Sequence, residues 1–184
     1  MTFRLRRNEV RLLMIDVQER LLPVITGRET IVKNAVKLAK AADVLTVPFF
    51  YTEQYPKGIG GTDGRITGAL PETARRLEKV HFSCCSEEAF DGFLFQEPRP
   101  VTVLFGIESH ICVLGTVLDM IAQGHKIAVA ADACGSRSPE NHALAMEAMR
   151  AAGALVVPTE TVVYHMIGRS GTPEFKALLP LFKE

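Results

Sequence analysis

Three residues of the sequence could together carry out nucleophilic catalysis: Asp16, Lys79 and Cys112. Cys112 lies in the first turn of a predicted helix, where unsatisfied backbone N–H groups and the helix dipole are expected to stabilise a thiolate. Asp16 ends an apolar run, and a poorly solvated carboxylate there is suited to proton transfer. Lys79 lies inside a predicted strand, where a partly desolvated ammonium is expected to seek a carboxylate.

Each of these residues also has an ordinary structural explanation. Free cysteine is among the most buried residue types, so Cys112 could simply fill space in the core. Asp16 could end its strand or cap the next helix, and Lys79 could be a solvated lysine on an edge strand. Residue type and position therefore do not distinguish a catalytic site from three unrelated structural residues.

The elements that would position these residues follow from apolar runs that alternate with helical spacing. Six strands are predicted, over residues 10–17, 45–51, 77–82, 101–105, 126–131 and 155–157. Helices are predicted over residues 28–42 and 87–95, from a Ser109 cap to Gly124, from Pro139 to Gly153, and from Pro173 toward Phe182. Residues 53–70 hold five glycines and no periodicity, which predicts a long loop that covers something.

This alternation predicts one α/β domain over residues 1–184, with a three-layer, doubly wound, mainly parallel six-stranded sheet and helices on both faces. Ligands of such sheets bind at the carboxyl ends of the strands. The predicted strand ends carry Asp16, Thr52 with Glu53, Gly106 with the loop that leads to Cys112, and Asp132. Lys79 would have to point from within its strand into the same cleft.

Composition limits the classes of partner. The 21 lysines and arginines balance the 21 aspartates and glutamates, so no net charge attracts nucleic acid or an anionic membrane, and a small-molecule substrate is compatible. Residues 1–11 are rich in arginine, but the apolar run after them resembles neither a signal peptide nor a membrane-spanning helix, which predicts a cytoplasmic protein. The four cysteines lack C-x-x-C spacing and the density of a disulfide framework, so each is expected to be a free thiol.

Neither a metal site nor a cofactor site is predicted. No two of the five histidines have the spacing of a zinc motif. His110 lies two positions before Cys112, and residues two apart on a helix do not face one another, so it is a poor base for the thiol. The glycines of residues 58–61 neither follow a strand in the required register nor precede a helix, so they do not indicate a phosphate-binding loop.

Three segments, in this order and spacing, resemble the isochorismatase-like hydrolase family: residues 14–18 (MIDVQ), 79–83 (KVHFS) and 106–113 (GIESHICV). The likeness extends over nearly the whole chain, from residue 10 to residue 159. Residues 52–58 (TEQYPKG) further resemble the isochorismatase-domain-containing subgroup. The resemblance therefore also implies the isochorismatase-like hydrolase fold.

The resemblance implies that Asp16, Lys79 and Cys112 form a catalytic triad. In the chemistry of that family, the aspartate takes the thiol proton, the lysine stabilises the charged pair, and the thiolate attacks an amide or related carbonyl. The resemblance also implies a cis peptide bond between Ile107 and Glu108, which would turn the Glu108 amide toward an oxyanion beside the amide of Cys112. Substrate contacts are expected from Gln18, Gln54 and Tyr55, and a homo-oligomer is expected.

Two departures narrow this interpretation. Nicotinamidases of the superfamily bind a metal through an aspartate and histidines just after the second strand, whereas this chain has residues 52–55 (TEQY) there. A metal amidase is therefore not expected. Isochorismatases cleave a vinyl ether and generally need no cysteine nucleophile, so Cys112 favours cysteine chemistry.

Three functions consequently remain open. The first is hydrolysis of a C–N bond in a small amide, or of a related acyl compound, by Cys112. The second is hydrolysis of isochorismate itself, for which Cys112→Ser should leave most activity intact. The third is an oligomeric interaction module whose pocket is a catalytic remnant.

Overall fold

The computed structural model describes residues 3–96 and 98–183. In this part of the chain, one sheet of six parallel strands has the order β3-β2-β1-β4-β5-β6. The strands are β1 (Val10–Ile15), β2 (Phe49–Gln54), β3 (Arg75–Lys79), β4 (Val101–Ile107), β5 (Lys126–Gly135) and β6 (Leu155–Val157). The predicted doubly wound parallel sheet is confirmed. The strand order reverses between β1 and β4, which is the place where such sheets bind ligands.

Helices surround this sheet. Their bounds are α1 (Arg28–Leu45), α2 (Pro56–Ile59), α3 (Gly64–Thr67), α4 (Phe90–Leu94), α5 (Leu114–Ala122), α6 (Pro139–Ala151), α7 (Thr159–Ile167) and α8 (Pro173–Leu178). Helix α1 packs against α7, α8 and β5, while α5 and α6 pack against each other. The two central strands β1 and β4 are buried along their whole length, as their continuous apolar runs predict.

The third strand differs from its prediction. It covers Arg75–Lys79 instead of residues 77–82, so Lys79 lies at the carboxyl end of its strand and not inside it. The backbone leaves the sheet there because the groups after Lys79 have other partners: the carbonyls of His81 and Phe82 accept hydrogen bonds from the Lys79 ammonium. The predicted helix over residues 87–95 is likewise shorter: α4 covers Phe90–Leu94, and a 3₁₀ turn at Cys84–Ser86 precedes it.

The predicted long loop over residues 53–70 contains the one-turn helices α2 and α3, so the expectation of a stretch without secondary structure is wrong. It is attached to the chain just after β1 by an antiparallel bridge between Gln18 and Thr62. The amide of Asp63 also donates to the carbonyl of Val17 over 3.0 Å. The loop is therefore fixed beside Asp16.

Two features at the far side of the site were not indicated by sequence patterns. Strand β5 continues past residue 131 to Gly135, with a register shift against β4. Helix α7 begins at Thr159, whose amide and hydroxyl both donate to Oδ1 of Asp132, over 2.6 and 2.7 Å. Asp132 thus holds the start of a helix.

Strands β1 and β4 approach each other closely at their carboxyl ends. Gly106 has φ 129°, and a Cβ atom there would lie 2.0 Å from the carbonyl oxygen of Ile15. Only glycine fits this position, because any side chain would push the two strands apart. The peptide bond between Ile107 and Glu108, at the end of β4, is cis. This close approach brings the loop after β4 next to Asp16.

Candidate active site

Asp16 follows β1 directly and is buried, with φ 53°. The hydroxyl of Thr52, at the same level on β2, donates to Asp16 Oδ1 over 2.7 Å. The backbone amide of Asp16 donates to the Thr52 carbonyl over 3.2 Å. Two neighbouring parallel strands therefore place and orient this carboxylate at the sheet edge.

Lys79 has no exposed side-chain surface, and its Nζ lies 2.7 Å from Oδ2 of Asp16. The ammonium donates three hydrogen bonds, to Gln54 Oε1 over 2.6 Å, to the His81 carbonyl over 3.1 Å and to the Phe82 carbonyl over 3.2 Å. Three neutral oxygens and the Asp16 carboxylate therefore surround the ammonium. Strand β3 is an edge strand, but the Lys79 side chain points inward and is buried. The alternative of a solvated lysine therefore does not apply.

Oδ2 of Asp16 is a buried oxygen that accepts no hydrogen bond from the described residues, although the Lys79 charge lies beside it. Lys79 Nζ lies 2.7 Å from this oxygen, while Gln54, His81 and Phe82 also accept hydrogen bonds from the ammonium. This carboxylate oxygen is therefore held near a cation while its lone pairs can accept a proton.

Cys112 lies in a π-helical turn, Ser109–Val113, that leads into α5, and its relative exposure is 7%. Burial and the negative charge of Asp16 raise the pKa of the Cys112 thiol to about 12, while the Lys79 ammonium opposes this change; a hydrogen bond to Asp16 raises the pKa further. Burial therefore shifts this pKa in the direction opposite to the one expected from a first-turn position. The thiol is the resting form near neutral pH and requires a base.

Lys79 is affected in the opposite sense. Burial acts to lower the pKa of Lys79, but the charges of Asp16, Cys112 and Cys84 together raise it above its ordinary value. The ammonium is therefore charged wherever the protein is folded near neutral pH. A permanent cation next to a carboxylate and a thiol is an arrangement that stabilises negative charge on either group.

The turn that carries Cys112 is fixed by three contacts with the segment after β5. Ser109 Oγ lies 2.9 Å from His142 Nδ1, and His110 Nδ1 lies 2.9 Å from Ser136 Oγ. The carboxylate of Glu108 accepts from the backbone amide of Arg137 over 2.9 Å and from its Nε. Glu108 occupies the N-cap position predicted for Ser109, whose hydroxyl bonds to histidine instead. His110 is likewise engaged away from the thiol.

The three residues expected to contact substrate, Gln18, Gln54 and Tyr55, differ in their burial and in their hydrogen-bond partners. Gln18 is buried, and its amide bonds to backbone groups of Gln54 and Gly60 over 2.6 to 3.0 Å. The side chain of Gln54 bonds to Lys79 on one side and to the Val80 carbonyl, over 2.7 Å, on the other. Tyr55 is 54% exposed, has φ 36° and stands at the opening of the site.

Two further residues, Thr52 and Thr116, contact the triad through their hydroxyls, and the sequence did not single out either hydroxyl. The Thr116 hydroxyl accepts from the amide of Cys84 over 3.0 Å and donates to the carbonyl of Cys112 over 2.7 Å. Cys84 is a buried free thiol beside the triad. Only the position of Thr52, at a strand end, was a usable sequence signal.

A cavity of about 290 Å³ lies beside Lys79 and is lined in part by Tyr55, Val80 and Glu87. A larger one, about 640 Å³, lies where β2 and β3 begin, at the opposite edge of the sheet, and contains none of the triad residues. The smaller cavity is lined by Lys79 but by neither Asp16 nor Cys112. Among residues 3–96 and 98–183, no group of three or more metal-ligating side chains could hold an ion. No helix in this range is long and apolar enough to cross a membrane.

Comparison with known proteins gives consistent matches. The isochorismatase domain family matches residues 11–161. Human isochorismatase domain-containing protein 2 is 35% identical over 174 residues, which cover 94% of this chain and 82% of that protein. The secreted isochorismatase effector Isc1 of Phytophthora sojae is 31% identical over 176 residues, covering 94% and 84%. The MAR1 ribonuclease structure from Caenorhabditis elegans gives a TM-score of 0.92 with 31% identity, covering 99% of this chain and 93% of that one.

Proposed function

Since the chain belongs to the isochorismatase family, we propose that it is a metal-independent cysteine hydrolase of small amides or related acyl compounds. The observation that carries this proposal is the buried ion pair of Asp16 and Lys79 beside the Cys112 thiol. A base, a cation and a nucleophile at one sheet edge are the parts that covalent acyl transfer needs.

Asp16 is the proposed base for the thiol. Its Oδ2 atom has no hydrogen-bond donor among the described residues, whereas Oδ1 is occupied by Thr52. A thiol with a pKa of about 12 does not ionise by itself near neutral pH. Proton transfer to Asp16 therefore accompanies attack of the sulfur on the substrate carbonyl carbon.

Lys79 is assigned the role of a fixed positive charge. Negative charge moves from the carboxylate to the sulfur and then to the substrate oxygen during attack, and the ammonium stays near the first two positions throughout. Because Lys79 is buried and its protons are already bonded, it needs no rearrangement when the charge moves. Such preorganised electrostatic stabilisation is the largest contribution in many enzymes.

The backbone amides of Glu108 and Cys112 are the proposed donors to the oxyanion of the tetrahedral intermediate. Support comes from the position of both groups, on either side of a turn that three side-chain contacts hold in place. The cis peptide bond before Glu108 lies at the position that the family resemblance implies.

The reaction then closes without a further partner. The C–N bond breaks as protonated Asp16 returns its proton to the departing amine, which leaves a thioester on Cys112. Water attacks this thioester, Asp16 takes a proton from the water, and the acid product leaves as the thiol is restored. Tyr55 is proposed to contact the substrate, whereas Gln18 and Gln54 position Lys79.

The decisive experiment is a screen of the purified protein with amides, carbamoyl compounds, isochorismate and single-stranded RNA. We expect turnover of an amide or carbamoyl compound, an acyl adduct on the Cys112 peptide by mass spectrometry, and unchanged rates after dialysis against chelator. Cys112→Ala should abolish turnover, while Cys134→Ala, which removes a buried thiol outside the triad, should leave it nearly unchanged. Full activity of Cys112→Ala, or loss on chelation that zinc restores, contradicts the proposal.

Isochorismate hydrolysis is the second candidate, because the Asp16–Lys79 pair could supply acid and base chemistry without a thiol. In that case Cys112→Ser retains most of its activity on isochorismate and no adduct forms. RNA cleavage enters the screen because of the likeness to a protein named a ribonuclease. The formal net charge of zero does not favour a polyanion.

We further propose that copies of the chain associate near this site. Three residues that adjoin Lys79, namely Tyr55, Val80 and Phe82, have exposed side chains, with relative exposures of 54%, 65% and 65%. Apolar surface of this kind is commonly covered in symmetric oligomers. Light scattering should give a multiple of the chain mass, and a strict monomer at micromolar concentration contradicts this.

A further inference from the structure

We propose that Glu87 is a positioning residue of this site: its carboxylate fixes the turn of Val80, His81 and Phe82, and this turn holds the Lys79 ammonium beside Asp16. The consequence for catalysis rests on the proposed function above. The positioning of Lys79 by Glu87 does not rest on that function, since it depends only on hydrogen bonds of the structure.

Glu87 acts on the outer side of the turn. Its Oε1 atom accepts three hydrogen bonds, from the amide of Val80 over 2.7 Å, from the amide of His81 over 2.8 Å and from His81 Nδ1 over 2.9 Å. The side chain is largely buried, with 16% of its surface exposed. One carboxylate oxygen thus fixes two consecutive backbone groups and one ring.

Lys79 is bonded on the inner side of the same turn. The carbonyls of His81 and Phe82 accept two of the three ammonium hydrogen bonds, and the carbonyl of Val80 accepts from the amide of Gln54, whose oxygen takes the third. Each ammonium acceptor therefore depends, directly or through Gln54, on where this turn lies.

Besides Glu87 and the bonds from Lys79 and Gln54, few contacts among the described residues hold the turn in place. The side chains of Val80 and Phe82 are each 65% exposed, so apolar packing contributes little to its position. Its anchors are the end of β3 at Lys79 and the residue Ser83, whose hydroxyl donates to Asp119 over 2.6 Å. Between these anchors, Glu87 supplies the acceptor for the backbone amides.

Loss of the Glu87 carboxylate should therefore loosen the turn and remove acceptors from a buried ammonium. The titratable groups that face this ammonium are the Asp16 carboxylate and the thiols of Cys112 and Cys84. A cation that is less well placed stabilises the Cys112 thiolate less. Glu87 touches neither Cys112 nor a reacting atom, so it acts through Lys79 only.

The test is the rate at which iodoacetamide alkylates Cys112, followed by peptide mass spectrometry across the range from about pH 7 to pH 9. We expect Glu87→Ala to lower this rate on the order of tenfold, as loss of hydrogen bonds to a charged group does. Glu87→Gln should lower it less, because the amide oxygen still accepts from the backbone. The matched control is Glu88→Gln, which neutralises the adjacent exposed glutamate and should match the wild type.

A double variant separates positioning from general weakening. In a Lys79→Met background, Glu87→Gln should change the alkylation rate no further, because its effect passes through Lys79. With a turned-over substrate, Glu87→Gln should lower kcat while KM stays near the wild-type value. Equal alkylation rates in Glu87→Ala and wild type, or additive effects in the double variant, overturn the proposal.

These outcomes are independent of the proposed function. Alkylation needs no substrate, so Glu87 is tested even if the screen finds no hydrolysis. Conversely, if a Glu87 variant is alkylated at the wild-type rate, the Glu87 proposal fails, but the proposed hydrolysis of amides by Cys112 is not contradicted. Glu87→Gln alone, which changes one atom of the side chain, carries the test if Glu87→Ala does not fold.

Discussion

The two sides of the site are held by different forces. The lysine side is formed by Asp16, Thr52, Gln54 and Lys79. Its two opposite charges, on Asp16 and Lys79, are buried as an ion pair, and Thr52 and Gln54 make hydrogen bonds to them. On the cysteine side, formed by residues 108–112 and their partners after β5, hydroxyl and imidazole groups make partly buried contacts. An ion pair on this side, Glu108 with Arg137, has an exposed arginine.

This difference determines how each side can fail. A buried charge that loses its partner costs several kcal/mol, so the lysine side cannot be changed without loss of stability. Neutral hydrogen bonds contribute about 1 kcal/mol each, so the cysteine side can lose a contact and remain folded. Catalytic function and stability should therefore be inseparable on one side and separable on the other.

The largest expected effect is the loss of stability in Lys79→Met. This change leaves the Asp16 carboxylate buried without its cation and should lower the free energy of unfolding by about 3–5 kcal/mol. Cys112→Ala removes one buried sulfur and should cost only about 1 kcal/mol, although both variants should lack turnover. Urea unfolding followed by circular dichroism measures both values.

Two controls sharpen this contrast. Lys40→Ala removes an exposed lysine of α1 and should leave the unfolding free energy nearly unchanged. Asp16→Asn combined with Lys79→Met removes both charges and should recover part of the stability lost in Lys79→Met, without restoring turnover. If Cys112→Ala lowers the unfolding free energy as much as Lys79→Met does, the stability of the protein does not depend more strongly on the lysine side than on the cysteine side.

The same contrast explains what the sequence could predict. Continuous apolar runs identify the central strands β1 and β4, and the polar residue after β1 marks the sheet edge where Asp16 lies. The family resemblance selects Lys79 and Cys112 from among similar residues. These features depend on short segments, so local patterns suffice for them.

The supporting contacts could not be predicted in this way. Ser109 and His142 are 33 positions apart, and Gln18 and Gln54 are 36 apart, so each pair meets only after the sheet has formed. The Cys112 pKa shows the same limit: the local helix start suggests a lower value, but burial by the rest of the fold raises it. Properties of the environment require the complete structure.

A smaller effect is expected when one hydroxyl is removed from each side. Thr52→Val deletes the donor to Asp16 Oδ1, a bond of 2.7 Å to a buried carboxylate, and should lower the unfolding free energy by about 2 kcal/mol. Ser109→Ala deletes a bond of 2.9 Å to an imidazole and should cost about 1 kcal/mol. Urea unfolding of both variants compares them directly, and a larger loss in Ser109→Ala reverses the expected order.

The smallest expected effect is a pH dependence of stability that belongs to the cysteine side. Burial lowers the pKa of His142 below its ordinary value of 6.5, so as the pH falls the unfolded chain binds this proton before the folded chain does. Stability from this group is therefore complete above the ordinary pKa and declines as the pH falls through it, by less than about 1 kcal/mol because the ring is partly solvated. His142→Gln should remove that part of the decline, whereas His165→Gln, which changes an exposed histidine, should keep it. Unfolding free energies at neutral and mildly acidic pH measure the slopes, and equal slopes in His142→Gln and wild type would show that this imidazole does not sense the folded environment.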